Sequence, residues 1–134
     1  MPKLIKVPVV RIEAGAVERM ADEVEELGCL RLLVVTGKRT AEIAGKRVHA
    51  ILEQAGFPTE LFLLEHVGAS IAHVHTVREK IREGKFDSIV AVGGGSIIDI
   101  VKLAAAKEKV ELVVVPTAAS HDGIASSFAS VPLG

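Results

Sequence analysis

The chain has 134 residues, of which 49% are hydrophobic, so it can bury the core of one domain but is too short for two ordinary ones. Its 16 basic and 17 acidic residues give a net charge of −1, which argues against a nucleic-acid-binding protein because phosphate binding needs a basic surplus. Cys29 is the only cysteine, so no disulfide can form within the chain, and a reducing cytoplasm is the simplest compartment. We expect a soluble protein without membrane insertion, because the least polar stretch, 88–106, contains Asp99 and Lys102 and no stretch has the pattern of a signal peptide.

The first half of the chain alternates between strand-like and helix-like spacing. "KVPVVRIEAG" predicts a strand that ends at Gly15, and "LRLLVVTG" predicts a second, buried strand. A helix is predicted after each strand. The first ends at Gly28, and the second runs from about Thr40 to Ala55. The apolar face of the first helix consists of Val17, Met20, Ala21, Val24 and Leu27.

The same alternation continues through the second half. Strands are predicted in "TELFLLE", "FDSIVAVGGG" and "VELVVVP". Ser70 can cap the helix between the first two of them, and a further helix is predicted from Ser96 to about Lys107. The predicted apolar face of the Ser70-capped helix consists of Ile71, Val74, Val77 and Ile81.

Strands that alternate with helices predict an α/β fold, namely a Rossmann-like, doubly wound parallel sheet covered on both faces. Ligands of such sheets bind beyond the carboxyl ends of the strands. Gly37, Gly93–Ser96 and Thr117–Ser126 all follow predicted strands, so we expect them to lie at this edge.

The glycine turn at Gly93–Ser96 has the chemistry of a phosphate site, although it is not the G-x-G-x-x-G fingerprint. Glycines let a backbone approach a pyrophosphate, and the next helix offers free N–H groups and the positive end of its dipole. Ser96 can cap that helix, with Asp99 three residues later as in a capping box. The competing interpretation, a tight turn with an ordinary cap, has about even weight for this motif alone.

A second small-residue segment, "PTAASHDGIAS", follows the last predicted strand. Its hydroxyls and its alanine and glycine residues suit close contact with a flat or phosphorylated ligand. Taken alone, the segment could also be a polar connection. His121 would then be a surface residue, and Asp122 a turn-forming residue before Gly123.

Together, "GGGSIIDIVK" and "VPTAASHDGIAS" resemble sn-glycerol-1-phosphate dehydrogenases. This family belongs to the superfamily of glycerol dehydrogenase, iron-containing alcohol dehydrogenases and dehydroquinate synthase. The glycine element is shared across the superfamily, whereas the second string is much more specific. The resemblance covers essentially the whole chain but only the first of the family's two domains, the cofactor domain of a dehydroquinate synthase-like fold. Residues 1–134 are therefore expected to lack the helical domain that carries metal and substrate.

The resemblance implies binding roles for particular residues. Asp122 matches a substrate-contacting position, and no role carries over to His121. Gly95, Ser96, Ile97, Ile98 and Asp99 match the family's dinucleotide-binding turn, and we expect Gly93 and Gly94, which precede them, to bind the cofactor as well. Cofactor contacts are also implied for Thr117, Ala118, Ala119, Ser120 and Ser126.

The loop after the second strand, Gly37, Lys38 and Arg39, bears on the choice of cofactor. A basic residue there accommodates the 2′-phosphate of NADP, whereas an acidic one suits NAD. We expect NADP to be accepted at least as well as NAD, unless Lys38 and Arg39 are merely solvated loop charges.

The implied reaction is reduction of dihydroxyacetone phosphate to sn-glycerol 1-phosphate by a nicotinamide hydride, in archaeal-type membrane lipid synthesis. The family's catalytic zinc is held by an Asp and two His that lie farther along than residue 134, so no metal ligand and no catalytic residue is expected within this chain. The chain by itself is expected to be inactive, and the family forms homo-oligomers.

Two other interpretations remain open on the sequence. One is a glycerol dehydrogenase or dehydroquinate synthase relative, since these share the glycine turn. The other is a non-catalytic nucleotide-binding module. Phe128, Val131 and Leu133 near the last residue argue against a stand-alone module, because they would need a partner surface.

Overall fold

A computed structural model describes residues 9–12, 14–37, 40–64 and 71–117. The strands are β1 (Val9–Arg11), β2 (Leu32–Thr36), β3 (Thr59–Leu63), β4 (Ser88–Gly93) and β5 (Glu111–Pro116). The helices are α1 (Met20–Leu27), α2 (Thr40–Gln54), α3 (Ile71–Gly84) and α4 (Gly95–Glu108), and a 3-10 helix, Ala14–Arg19, leads into α1. The predicted alternation of strands and helices is confirmed.

The five strands form one parallel sheet in the order β1-β5-β4-β2-β3. Strands β2 and β4 lie inside the sheet and are buried along their whole length, as expected for a sheet with two covered faces. β3 lies at one edge and is only partly buried. The parallel α/β fold is therefore confirmed.

Alternate residues of each central strand belong to two separate cores. On one face, Leu33 and Val35 of β2 pack in a cluster with buried residues of α3 and α4. On the other face, Leu32 and Val34 pack in a cluster with Met20 of α1 and with buried residues of α2. Two helices thus cover each face, which confirms the doubly wound arrangement.

The sequence predicted the end of the first helix correctly but not the end of the first strand. α1 ends at Gly28, which has φ +79°, as the glycine predicted. The first strand, however, ends at Arg11 and not at Gly15, which lies in the 3-10 helix. Ile12 makes the last bond to the neighbouring strand, from its N–H to the Val114 carbonyl at 2.8 Å. The chain then turns so that Val17 can reach the core.

The predicted apolar face of α3 is confirmed for Val74, Val77 and Ile81 but is wrong for Ile71, which is 70% exposed. At roughly 100° per residue, Ile71 lies about 90° around the helix from the centre of the stripe that the other three form. Ser70, the predicted cap, lies outside the described residues.

The amino ends of β2 and β4 are tied together by Asp87. Its carboxylate accepts hydrogen bonds from the N–H groups of Leu30 (3.0 Å) and Arg31 (3.2 Å) and from the Ser88 hydroxyl (2.8 Å). The Arg31 Nε donates to the Gly84 carbonyl at 2.6 Å, and the Arg31 guanidinium lies 5.2 Å from the centre of the Phe86 ring. Asp87 and Arg31 therefore join the start of β2, the end of α3 and the start of β4 through polar contacts.

The same end of the molecule carries an ion-pair cluster between α3 and α4. The Glu108 carboxylate accepts hydrogen bonds from the Nε atoms of Arg78 (2.8 Å) and Arg82 (3.1 Å). These arginines, Arg82 first, lower the pKa of Glu108. The cluster thus joins the two helices that cover one face of the sheet.

Candidate nucleotide-binding site

The strand order creates a crevice at the carboxyl ends of β2 and β4. From β2 the chain moves to β3 on one side, and from β4 it moves to β5 on the other side. The helices that follow, α2 and α4, cover opposite faces. Adjacent strands whose connections leave in opposite directions define the switch point at which doubly wound sheets bind ligands. Gly37, after β2, and the glycine turn, after β4, flank this point.

Gly93 closes β4 in a conformation that a side chain would strain. Its φ is +155°, and a Cβ built there would lie 3.1 Å from Cγ1 of Ile97. Glycine at this position is therefore explained by the chain's own packing.

Gly94 and Gly95 differ from Gly93, because no described neighbour requires glycine there. Gly94 has an extended backbone (φ −89°, ψ −167°), and Gly95 begins α4. A Cβ on either residue would meet no heavy atom of the described residues within 4 Å. Open space over two successive glycines is the geometry that allows a ligand to approach the backbone closely.

The helix after the turn presents hydrogen-bond donors to this space. Its first hydrogen bond runs from the Ile98 N–H to the Gly94 carbonyl at 3.0 Å. The N–H groups of Gly95, Ser96 and Ile97 precede it and have no acceptor inside the helix. Such a helix end, with the positive end of the helix dipole, favours an anion.

The prediction that Ser96 caps α4, with Asp99 completing a capping box, is wrong. The cap residue is Gly94, so Ser96 lies two residues past the cap position, exposed within the first turn. The sheet decides this, because β4 pairs with β5 as far as Gly93 and leaves one residue before the helix. The Ser96 hydroxyl is thereby available to a ligand.

The other predicted residues of α4 fall into two groups. Ile97 and Ile98 are buried in the core under the sheet, so a ligand could contact only their backbone. Asp99 is exposed in the second turn. Partial burial raises the pKa of Asp99, and the charge of Lys102 opposes that rise.

Thr117 directly follows β5 and is joined to the glycine turn. Its N–H donates to the Gly93 carbonyl at 3.1 Å. Gly37 is buried at the end of β2. Three predicted segments, Gly37, Gly93–Asp99 and Thr117, thus lie at the carboxyl ends of three adjacent strands. Other predicted positions lie outside the described residues: Lys38, Arg39, Ala118, Ala119, Ser120, Asp122 and Ser126.

Sequence reasoning missed two residues that shape the crevice. Thr36 is completely buried at the end of β2, and its hydroxyl donates to the Val92 carbonyl at 2.8 Å. Gly45 of α2 lies so close to Thr36 that a Cβ on Gly45 would be 2.7 Å from the threonine methyl. A polar residue that ends an otherwise apolar strand was the available signal for Thr36.

Within the described part of the chain, no group of three His, Cys, Asp or Glu side chains could hold a metal ion. No helix among those residues is long and apolar enough to cross a membrane.

Comparison with known proteins adds three findings. The family model "Iron-containing alcohol dehydrogenase" matches residues 11–134. Two curated relatives, both named glycerol-1-phosphate dehydrogenase [NAD(P)+], are similar over 118 residues, or 87% of this chain: those of Methanosarcina acetivorans, at 40% identity, and Methanosarcina barkeri, at 42%. The chain spans about a third (33%) of the length of each relative.

Solved structures show the same architecture. The iron-containing alcohol dehydrogenase of Thermococcus thioreducens is 28% identical, with a TM-score of 0.56, and the match covers 75% of this chain and 26% of that one. The maleylacetate reductase of Agrobacterium tumefaciens, at 22% identity, shares the fold with a TM-score of 0.67 over 87% of this chain and 33% of that one.

Proposed function

This chain belongs to the iron-containing alcohol dehydrogenase family, and from that premise we propose that it forms the nicotinamide-dinucleotide-binding part of an sn-glycerol-1-phosphate dehydrogenase. The proposed reaction is NAD(P)H-dependent reduction of dihydroxyacetone phosphate. Its product would supply the glycerol backbone of archaeal-type membrane lipids. The names of the curated relatives and the string "TAASHDGIAS" support this choice within the family.

The observation that carries the proposal is the open glycine turn at the switch point. Above Gly94 and Gly95 there is space that no described residue fills. The first N–H groups of α4, which begins at Gly95, favour the binding of an anion there. A pyrophosphate at this position would receive hydrogen bonds from the backbone of Gly95 and Ser96. The rest of the dinucleotide would lie across the ends of β2, β4 and β5.

The bound cofactor would supply the hydride, and the family's metal would polarise the ketone of the substrate. Residues of this chain would bind and orient the cofactor. We further propose that Asp122 contacts the substrate and that Ala118, Ala119, Ser120 and Ser126 contact the cofactor. Because the resemblance places the metal ligands after residue 134, residues 1–134 by themselves should bind cofactor without turnover. Zinc-dependent turnover by residues 1–134 would contradict this.

Calorimetric titration of the purified protein with NADPH and NADH tests the cofactor site. We expect binding that weakens in the order wild type, Gly95→Ala, Gly95→Val, because a growing side chain fills the approach to the backbone. The valine variant should lose at least about tenfold in affinity, or roughly 1.4 kcal/mol. Wild-type affinity in Gly95→Val would show that no ligand approaches this turn, and absence of binding to both cofactors would contradict the proposed function.

The basic loop after β2 is tested by Lys38→Ala and Arg39→Ala. We propose that these side chains favour the 2′-phosphate, so both variants should lose affinity for NADPH more than for NADH. Lys107→Ala is the charge-matched control, because Lys107 is exposed in the last turn of α4, away from the turn. Equal losses for the two cofactors would indicate ordinary solvated charges.

A further inference from the structure

Thr36 joins the two strands whose ends form the crevice. It is the last residue of β2, is paired in register with Val92 of β4, and is 0% exposed. Its hydroxyl donates to the Val92 carbonyl at 2.8 Å, and Val92 directly precedes Gly93. The side chain therefore bonds β2 to β4 at the last pair before the strands lead into different loops.

The other side of Thr36 is held by α2. A Cβ on Gly45 would lie 2.7 Å from the Thr36 Cγ2 and 2.8 Å from its Cβ, distances that no real side chain could adopt. The helix backbone thus rests directly on the threonine. A side chain that is closely packed between a strand and a helix has little freedom to change rotamer.

We infer that Thr36 is a positioning residue that sets the separation between the glycine turn after β4 and the loop after β2. The inference rests on the proposed function, in which one dinucleotide spans both. Buried hydrogen bonds are strong in a low-dielectric interior, and a preformed site avoids the entropy of ordering its parts on binding. Thr36 would therefore contribute to affinity without touching the cofactor.

Two substitutions separate the hydroxyl from the methyl group. Thr36→Val keeps the branched shape but leaves the Val92 carbonyl without its donor, so NADPH affinity should fall about three- to tenfold. Thr36→Ser keeps the donor and removes the methyl from Gly45, so it should lower the melting temperature while affinity stays near wild type. A purely structural role would instead make affinity follow stability in both variants.

Ser88 supplies a matched control at the other end of the same strand pair. Thr36 and Ser88 are the two fully buried polar side chains found in the described segments, and Ser88 is paired in register with Leu32 of β2. Its hydroxyl donates to the Asp87 carboxylate at 2.8 Å. Ser88→Ala should lower stability and leave NADPH affinity unchanged. Equal affinity losses in Ser88→Ala and Thr36→Val would overturn the inference.

Hydrogen exchange tests the same inference without ligand. In Thr36→Val, exchange should become several-fold faster at the Ile98 and Thr117 amides, whose acceptors are the Gly94 and Gly93 carbonyls. The Glu111 amide, bonded to the Asp87 carbonyl at the amino end, should respond to Ser88→Ala instead. Unchanged exchange at Ile98 and Thr117 in Thr36→Val would refute the role of Thr36 even if the wild type bound no cofactor. If the wild type and Thr36→Val bound NADPH with equal affinity, the positioning role of Thr36 would be refuted and the proposed function would stand.

Discussion

At the amino end of the β2–β4 pair, Asp87 bonds to the neighbouring polar groups, whereas at the carboxyl end the helix that follows β4 begins with backbone donors that it does not satisfy itself. Asp87 accepts from two backbone N–H groups and one hydroxyl. The N–H groups at the start of α4 have no acceptor inside the helix. The two ends thus differ in that the fold supplies partners for the polar groups around Asp87, whereas α4 supplies none for its own first N–H groups.

Glycines show the same contrast. A Cβ on Gly84, at the amino end, would overlap Cε2 of the Phe86 ring, whereas a Cβ on Gly95 would meet no heavy atom of the described residues within 4 Å. Packing therefore accounts for the first glycine. Packing among the described residues does not account for the second, which distinguishes Gly95 from Gly84.

The largest expected effect on stability is that of Asp87→Ala. Three donors at the amino end would lose their acceptor, so the free energy of unfolding should fall by about 2–4 kcal/mol. Urea denaturation measures this. Asp87→Asn, which keeps one carbonyl oxygen, should lose less. An unchanged unfolding midpoint in Asp87→Ala would mean that water replaces the carboxylate and that the amino end is not self-contained.

Gly84→Ala and Gly95→Ala test the contrast between the glycines. Gly84→Ala should lower the free energy of unfolding by about 1–3 kcal/mol, because the new methyl group displaces the Phe86 ring. Gly95→Ala should leave stability unchanged or raise it by up to about 1 kcal/mol, since alanine is the better helix former. NADPH affinity should instead fall in Gly95→Ala and stay near the wild-type value in Gly84→Ala. Both quantities are obtained from urea denaturation with and without cofactor, and a stability loss in Gly95→Ala would remove the distinction.

The smallest effect concerns the ion-pair cluster at Glu108 and depends on pH. The folded-state pKa of this carboxyl is lowered, so its stabilising contribution is present above the unfolded-state value, about 4.3, and is lost as pH falls through the lower folded value. Glu108→Gln should therefore lower stability at pH 7 by at most about 1 kcal/mol and have progressively less effect below pH 4. Unfolding midpoints of both proteins across this range provide the comparison. A difference that stays constant down to pH 2 would show that the charge is not its cause.

The strand and helix order was predictable because each apolar run in this chain is either strand-like or helix-like, with glycines between them. Local rules failed where a partner element decided the outcome. Ser96 was predicted to cap α4, yet pairing of β4 with β5 continues to Gly93 and places the cap at Gly94. Ile71 was predicted to share one helix face with Val74, Val77 and Ile81, although it lies to one side of the stripe that these three form and is exposed.

By itself, the sequence determined the α/β class, the parallel sheet and the positions of the loops that follow β2, β4 and β5, because periodicity and turn residues are local properties of the chain. Only the tertiary structure decided which strands are neighbours, and hence that the β2 and β4 ends form the switch point. It also decided that the Ile97 side chain requires glycine at residue 93, whereas no described residue requires it at 94 and 95, and that the Thr36 hydroxyl bonds to the Val92 carbonyl. The strand pairings and the Thr36–Val92 bond join residues far apart in the chain, and no local sequence pattern encodes the distance between them.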